Sequence, residues 1–160
     1  MSERIAAPPF LARAESLGAG LDELRLVLPR HYEELSEHKF HGYPLAPDYN
    51  TYLRMEANGQ ILYVTLRGAE GLLAGYFVGF LLRDLHYGVQ SLKMDILYVV
   101  PEARGHAGGA TLVAGVEAEA RRRGTELIVM NYKESHREHM ERMLLAGGYA
   151  PFEQLVAKWI

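Results

Sequence analysis

The stretch VVPEARGHAGGATL, from Val99 to Leu112, constrains the fold more than any other part of the chain. An apolar strand runs into Pro101, passes through a loop containing Gly105, Gly108 and Gly109, and emerges as a helix. A strand that opens through glycines onto a helix N-terminus is a common way to hold a phosphate, because bare N–H groups and the positive end of the helix dipole converge there. This demands an α/β architecture. It also poses the question of which phosphate-bearing molecule is held.

Two familiar phosphate motifs fail. A P-loop needs a lysine after its last glycine, but Gly109 is followed by Ala110 and Thr111. The dinucleotide fingerprint needs glycines at its first, third and sixth positions, and Gly105, Gly108 and Gly109 do not have that spacing.

Periodicity supplies the rest of the framework. The APPF segment at Ala7 to Phe10 leads into a short first strand expected to end near Ser16, with residues 1–8 flexible. Leu21, Leu24 and Leu28 share one helical face, Pro29 stops or kinks that helix, and HYEEL at His31 to Leu35 begins another. Ser36 to Asn50 reads as a polar loop. Three strands follow, over Gln60 to Gly68, Leu72 to Leu82 and Gln90 to Val100, with antiparallel neighbours as the simplest arrangement. After the glycine loop, Leu112, Val113, Val116 and Ala120 mark an amphipathic helix that ends in Arg121, Arg122, Arg123 and Gly124. Glu126 to Met130 is a buried strand, Met140, Met143 and Leu144 lie on a further helix, and a last strand is expected to end at Trp159 and Ile160. The fold class is α/β around one mixed, mostly antiparallel sheet, in a single domain spanning 1–160.

Composition narrows the function classes. A net charge of -3 from 17 basic and 20 acidic residues gives no basic face for nucleic acid, so nucleic acid is not an expected partner. The chain has no cysteine, which removes disulfides, thiolate zinc sites and a cysteine nucleophile. Its longest apolar run, Gly71 to Leu82, is too short to span a bilayer, so a cytoplasmic protein is expected. Among seven histidines, His136 and His139 could share a helix face, but without further ligands no metal is expected.

ILYVVPEARGHAGGATL resembles motif A of the GNAT acyltransferases, and the likeness runs from about Leu21 onward. HYEEL, LHY at Leu85 to Tyr87, DILYVVPEARG and GGYAPFEQLVAKWI resemble segments of GNAT proteins encoded by bacteriophages and prophages. One departure is Ala107 in a slot usually held by glycine.

The resemblance implies the GNAT fold, acetyl-CoA as donor, a primary amine of unknown identity as acceptor, and sheet edges that pair into a homodimer. Backbone amides from Arg104 through Gly105, His106, Ala107, Gly108 and Gly109 to Ala110 would hold the pyrophosphate, while Leu97, Tyr98 and Val99 would hold the acetyl carbonyl and pantetheine arm. Asp95 is the first candidate for the base that takes the amine proton, because many GNATs carry an acid on this strand. Pairing with Lys93 or Arg104 is the competing role for it. His31 could also titrate as a base, and Glu34, His86 and Tyr87 would border the acceptor cleft. The tyrosine that serves many GNATs as general acid has no counterpart: counting back from Tyr149 lands on Leu144. Tyr149 itself, Tyr132 or water could protonate the thiolate instead. The alternative is a catalytically weak module on the same fold that binds acyl-CoA or a protein.

Overall fold

The computed structural model describes residues 10–105 and 107–160. The expectations for residues 1–9 and for His106 therefore fall outside the described residues. Five strands are ordered β1 (Leu11–Ala14), β2 (Ile61–Arg67), β3 (Leu73–Arg83), β4 (Gln90–Val99) and β5 (Leu127–Val129) across one sheet. The first three pairings are antiparallel and the last is parallel. Helices α1 (Leu17–Leu35), α2 (Tyr49–Ala57), α3 (Gly108–Arg122) and α4 (Arg137–Ala146) flank the sheet.

Each face of the sheet carries its own core. Leu62, Val64 and Leu66 of β2 alternate onto one face, where Leu112, Val116 and Ala120 of α3 cover them. Gly115 allows this approach, since a Cβ there would come within 2.4 Å of the Ala12 Cβ on β1. Ile61 and Tyr63 point to the other face and meet Leu17, Leu24 and Leu28 of α1.

Pro29 does not end α1. The helix continues through it to Leu35, so the two helices expected either side of the proline are one. Proline lacks an N–H, yet Pro29 is exposed and Leu24 and Leu28 anchor the turns before it, so tertiary packing overrides the break. Ser16 caps the N-terminus by accepting from the Ala19 N–H at 3.3 Å. The Glu56 carboxylate accepts from the Leu17 and Gly18 N–H groups at 2.5 and 2.9 Å, which ties α2 to the start of α1.

The region expected to be loop up to Asn50 holds a short 3-10 turn at His38–His41 and the first turn of α2. That helix carries signals of its own: Asp48 accepts from the Thr51 N–H at 3.0 Å, and Tyr49, Tyr52 and Met55 recur on the face that meets the core. The expected last strand does not form. Residues 149–160 have no ladder partner, and Gly147 and Gly148 turn the chain so that Trp159 stacks on His41, with ring centroids 4.1 Å apart, and on Tyr43. Ring stacking holds the tail where backbone pairing does not.

Candidate functional site

The parallel pairing of β4 with β5 stops at Lys93 and Val129. Two residues later β4 bulges: Ile96 lies opposite Val78 while Met94 lies opposite Gly79, which leaves Asp95 as the extra residue. The bulge inverts the alternation. Leu92 and Met94 face the α3 side, whereas Ile96 and Tyr98 face the α1 side. Asp95 consequently turns toward α2, and the Tyr52 hydroxyl donates to its Oδ2 at 2.5 Å. Among the described residues no other group donates to the Asp95 carboxylate. Burial, and then Asp95 itself, push the Tyr52 phenol well above its ordinary range, so Tyr52 stays protonated.

Beyond the bulge, β4 has an open edge. The Val100 N–H donates to the Ala74 carbonyl at 2.9 Å, so alternate residues of β4 pair with β3 while the N–H groups of Leu97 and Val99 point the other way. They face a cleft of about 930 Å³, which runs from the glycine loop past Asp95 to the underside of α1. Leu97, Tyr98, Val99, Arg104, Gly105, Ala107, Gly108, Gly109 and Ala110 all line it. The structure thus brings every described residue of the expected cofactor set to one cavity.

The glycine loop is built by close contact and by strain. A Cβ on Gly108 would sit 2.6 Å from the Ala103 carbonyl oxygen, so only glycine starts α3 here without moving backbone. Ala107, at the N-cap, is left-handed with φ 62°, a conformation that costs an alanine about 1 kcal/mol or more. Gly109 faces α4, with Met143 Sδ 3.0 Å from where its Cβ would be. Arg104 orders the loop: its Nε donates to the Val99 carbonyl at 2.8 Å and its guanidinium pairs with Glu34.

Glu34 is engaged from two sides, since the Tyr98 hydroxyl also donates to it, at 3.0 Å. Burial opposes its charge, but the bonds from Arg104 and Tyr98 prevail and hold the carboxyl below its ordinary range. His31 stacks on Tyr98 with centroids 4.7 Å apart, and its Nδ1 lies 2.6 Å from the Tyr76 hydroxyl. Burial, reinforced by the nearby Lys133 charge, lowers its pKa to about 4 and leaves it neutral near pH 7. Lys133 donates to the Leu35 carbonyl at the end of α1.

Three expected residues lie elsewhere. His86 and Tyr87 are exposed on the β3–β4 hairpin, where Asp84 accepts from both their N–H groups, and neither lines the cleft. Tyr149 is half-buried and also off the cleft; burial and the neighbouring Glu117 raise its phenol well above the ordinary range. Leu144 is buried within α4. Sequence reading missed Tyr52, whose signal was its place on the core-facing stripe of α2. Among the described residues no three His, Asp or Glu side chains gather as metal ligands, and no helix is long and apolar enough to cross a membrane.

The same arrangement of strands and helices is shared by solved structures over nearly the whole chain. A ribosomal-protein-alanine N-acetyltransferase from Brucella melitensis matches with a TM-score of 0.69 at 17% identity, over 94% of this chain and 99% of that one. The chain has the GNAT fold. An aminoglycoside acetyltransferase from an uncultured soil sample, in complex with sisomicin, shares that fold with a TM-score of 0.73 at 10% identity, over 95% of both chains. Glucosamine-6-phosphate N-acetyltransferase from Arabidopsis thaliana shares the GNAT fold with a TM-score of 0.65 at 11% identity, over 94% of this chain and 97% of that one. No protein-family model and no curated protein matches the sequence itself.

Proposed function

We propose that this GNAT-fold protein is an N-acetyltransferase that moves an acetyl group from acetyl-CoA to a primary amine within a ternary complex. The observation that carries the reading is the meeting of three features in one cleft: the α3 N-terminus with its glycine loop, the outward N–H groups of Leu97 and Val99, and Asp95 between donor and acceptor ends. The N–H groups of Gly105 and of Ala107 to Ala110 suit a pyrophosphate, and the dipole of the fifteen-residue α3 adds to them. The likeness to phage-encoded members rests on short sequence segments alone.

An amine with a pKa of about 10.4 arrives protonated and must lose that proton before it can attack. Asp95 accepts it, with Tyr52 holding the carboxylate in place. The nitrogen lone pair then bonds to the thioester carbon, an outward β4 N–H stabilises the developing oxyanion, and the C–S bond breaks as the acylated nitrogen gives its second proton to solvent. The thiolate, with a pKa of about 8.5, leaves and takes a proton from solvent. The products are an N-acetyl amide and free CoA. His31 is committed elsewhere, with its Nδ1 2.6 Å from the Tyr76 hydroxyl and its ring stacked on Tyr98.

Titration calorimetry with acetyl-CoA, beside dephospho-CoA and NADH as controls, tests the donor site. Micromolar binding of acetyl-CoA that is abolished in Gly109→Trp is expected; equal binding of NADH sinks the reading. Asp95→Asn is expected to retain acetyl-CoA binding and lose about 10²-fold or more in kcat, measured by thiol release. A second reading, acyl-CoA binding without transfer, draws on Leu144 in the usual tyrosine slot. It would lead if the wild type bound acetyl-CoA but released no thiol with any amine.

A further inference from the structure

Resting on the acetyltransferase reading, the character of the acceptor follows from what lines the cleft beyond Asp95. The far end runs beneath α1, where Leu21, Leu24 and Leu28 form one wall and Val78 and Ile96 of the sheet form the other. Tyr49 and Tyr52 of α2 close the side, and Pro44, Leu45 and Pro47 form the rim. Among the described lining residues Asp95 is the single carboxylate. Glu34 stands close by, but Arg104 and Tyr98 already engage it.

The same lining carries two cations, Arg104 and Lys133, both bonded to groups of α1. A polyamine or aminoglycoside brings several positive charges. In this cleft one of them finds Asp95, and each of the others meets no second carboxylate: it loses water to apolar walls, falls to neutral groups such as Ser36 and Asn131, or approaches Arg104 and Lys133. A monoamine on an aromatic or branched aliphatic body meets the opposite balance. Its one charge goes to Asp95 while its body displaces water from the partly exposed apolar surface of Ile96, Tyr49, Tyr52 and Leu45.

We infer that the acceptor is a small primary monoamine carried on an aromatic or aliphatic body, seated between α1 and the sheet with its nitrogen at Asp95, and that polycationic amines are poor substrates. The transfer is the one written above, with the acceptor's ammonium proton passing to Asp95.

Two measurements separate this inference from the reading beneath it. Saturation-transfer NMR on the protein without donor, in an equimolar mixture of 2-phenylethylamine and spermidine, reads the acceptor end alone. Thiol release with acetyl-CoA then compares 2-phenylethylamine and isoamylamine with spermidine and kanamycin. The expected results are saturation of 2-phenylethylamine over spermidine and kcat/KM about ten-fold or more higher for the apolar monoamines. Leu45→Glu places a second carboxylate on the exposed rim and is expected to narrow that ratio several-fold. Spermidine or kanamycin binding or reacting as well as 2-phenylethylamine overturns the inference, as does thiol release that none of the apolar monoamines supports. Failure of acetyl-CoA to bind in calorimetry overturns the donor reading instead, and the NMR comparison still decides the pocket's preference.

Discussion

His31 shows how a residue's surroundings can reverse its expected use. Histidine ordinarily titrates near neutrality, but here burial against Tyr76 and Tyr98, with Lys133 nearby, brings its pKa down to about 4. The unfolded chain, with an ordinary value of about 6.5, binds a proton that the folded chain refuses, so stability is lost as pH falls through this window. Urea unfolding between pH 7 and 4.5 is expected to show a loss of about 2 kcal/mol, from about 1.4 kcal/mol per unit of pKa difference over the part of the shift this window spans. His31→Gln should flatten that slope even if it lowers stability at pH 7. Ala107 makes the complementary case. Its left-handed φ of 62° is one glycine adopts freely, so Ala107→Gly is expected to stabilise the protein by about 1 kcal/mol. Thermal unfolding reads this as a rise of about 3 °C. The departure from the usual glycine was visible in the sequence; the strain behind it was not.

At the scale of elements, α1 and β4 each contain one irregularity that periodicity alone misjudges. Pro29 interrupts the hydrogen-bond ladder of α1, yet the leucine face continues on both sides of it and one helix results. Because Pro29 is exposed, Pro29→Ala removes no core contact and restores the missing N–H. The variant should be more stable by about 1–3 kcal/mol in denaturant melts. A decrease would mean that the bend itself is needed to seat Leu28 and His31. In β4, a strict period of two would have left Leu92 and Ile96 on the same face. One extra residue puts them on opposite faces and turns Asp95 toward Tyr52. A strand is easy to read from β-rich sequence, whereas a bulge within it depends on what β3 offers as partners.

At the scale of the whole molecule, the tail after α4 is weakly secured. Phe152, Leu155, Val156 and Ile160 are largely exposed, and Trp159 rests against the rings of His38, His41 and Tyr43. Segments with few buried contacts open before the global transition. Trp159 is the single tryptophan of the chain, so its emission reports on this tail directly. Its fluorescence is expected to shift at lower urea concentration than the far-UV circular dichroism of the sheet and helices. Coincident transitions would show that the tail is integral to the cooperative core.

The sequence by itself determined the α/β class, the strand–glycine loop–helix unit, the leucine stripe of α1 and the candidate acidic residue on β4. Each of these is written in neighbouring residues: apolar spacing, glycine where a Cβ cannot fit, and charge against an apolar run. Only the tertiary structure decided that α1 is continuous, that α2 delivers Tyr52 to Asp95, and that His86, Tyr87 and Tyr149 stand away from the cleft. It also decided that the tail folds back through Trp159 instead of extending the sheet. Those outcomes depend on contacts between residues tens of positions apart, such as Tyr52 with Asp95 and His41 with Trp159. Local spacing carries no record of such contacts, because the free energy that selects them exists only once the two segments pack together.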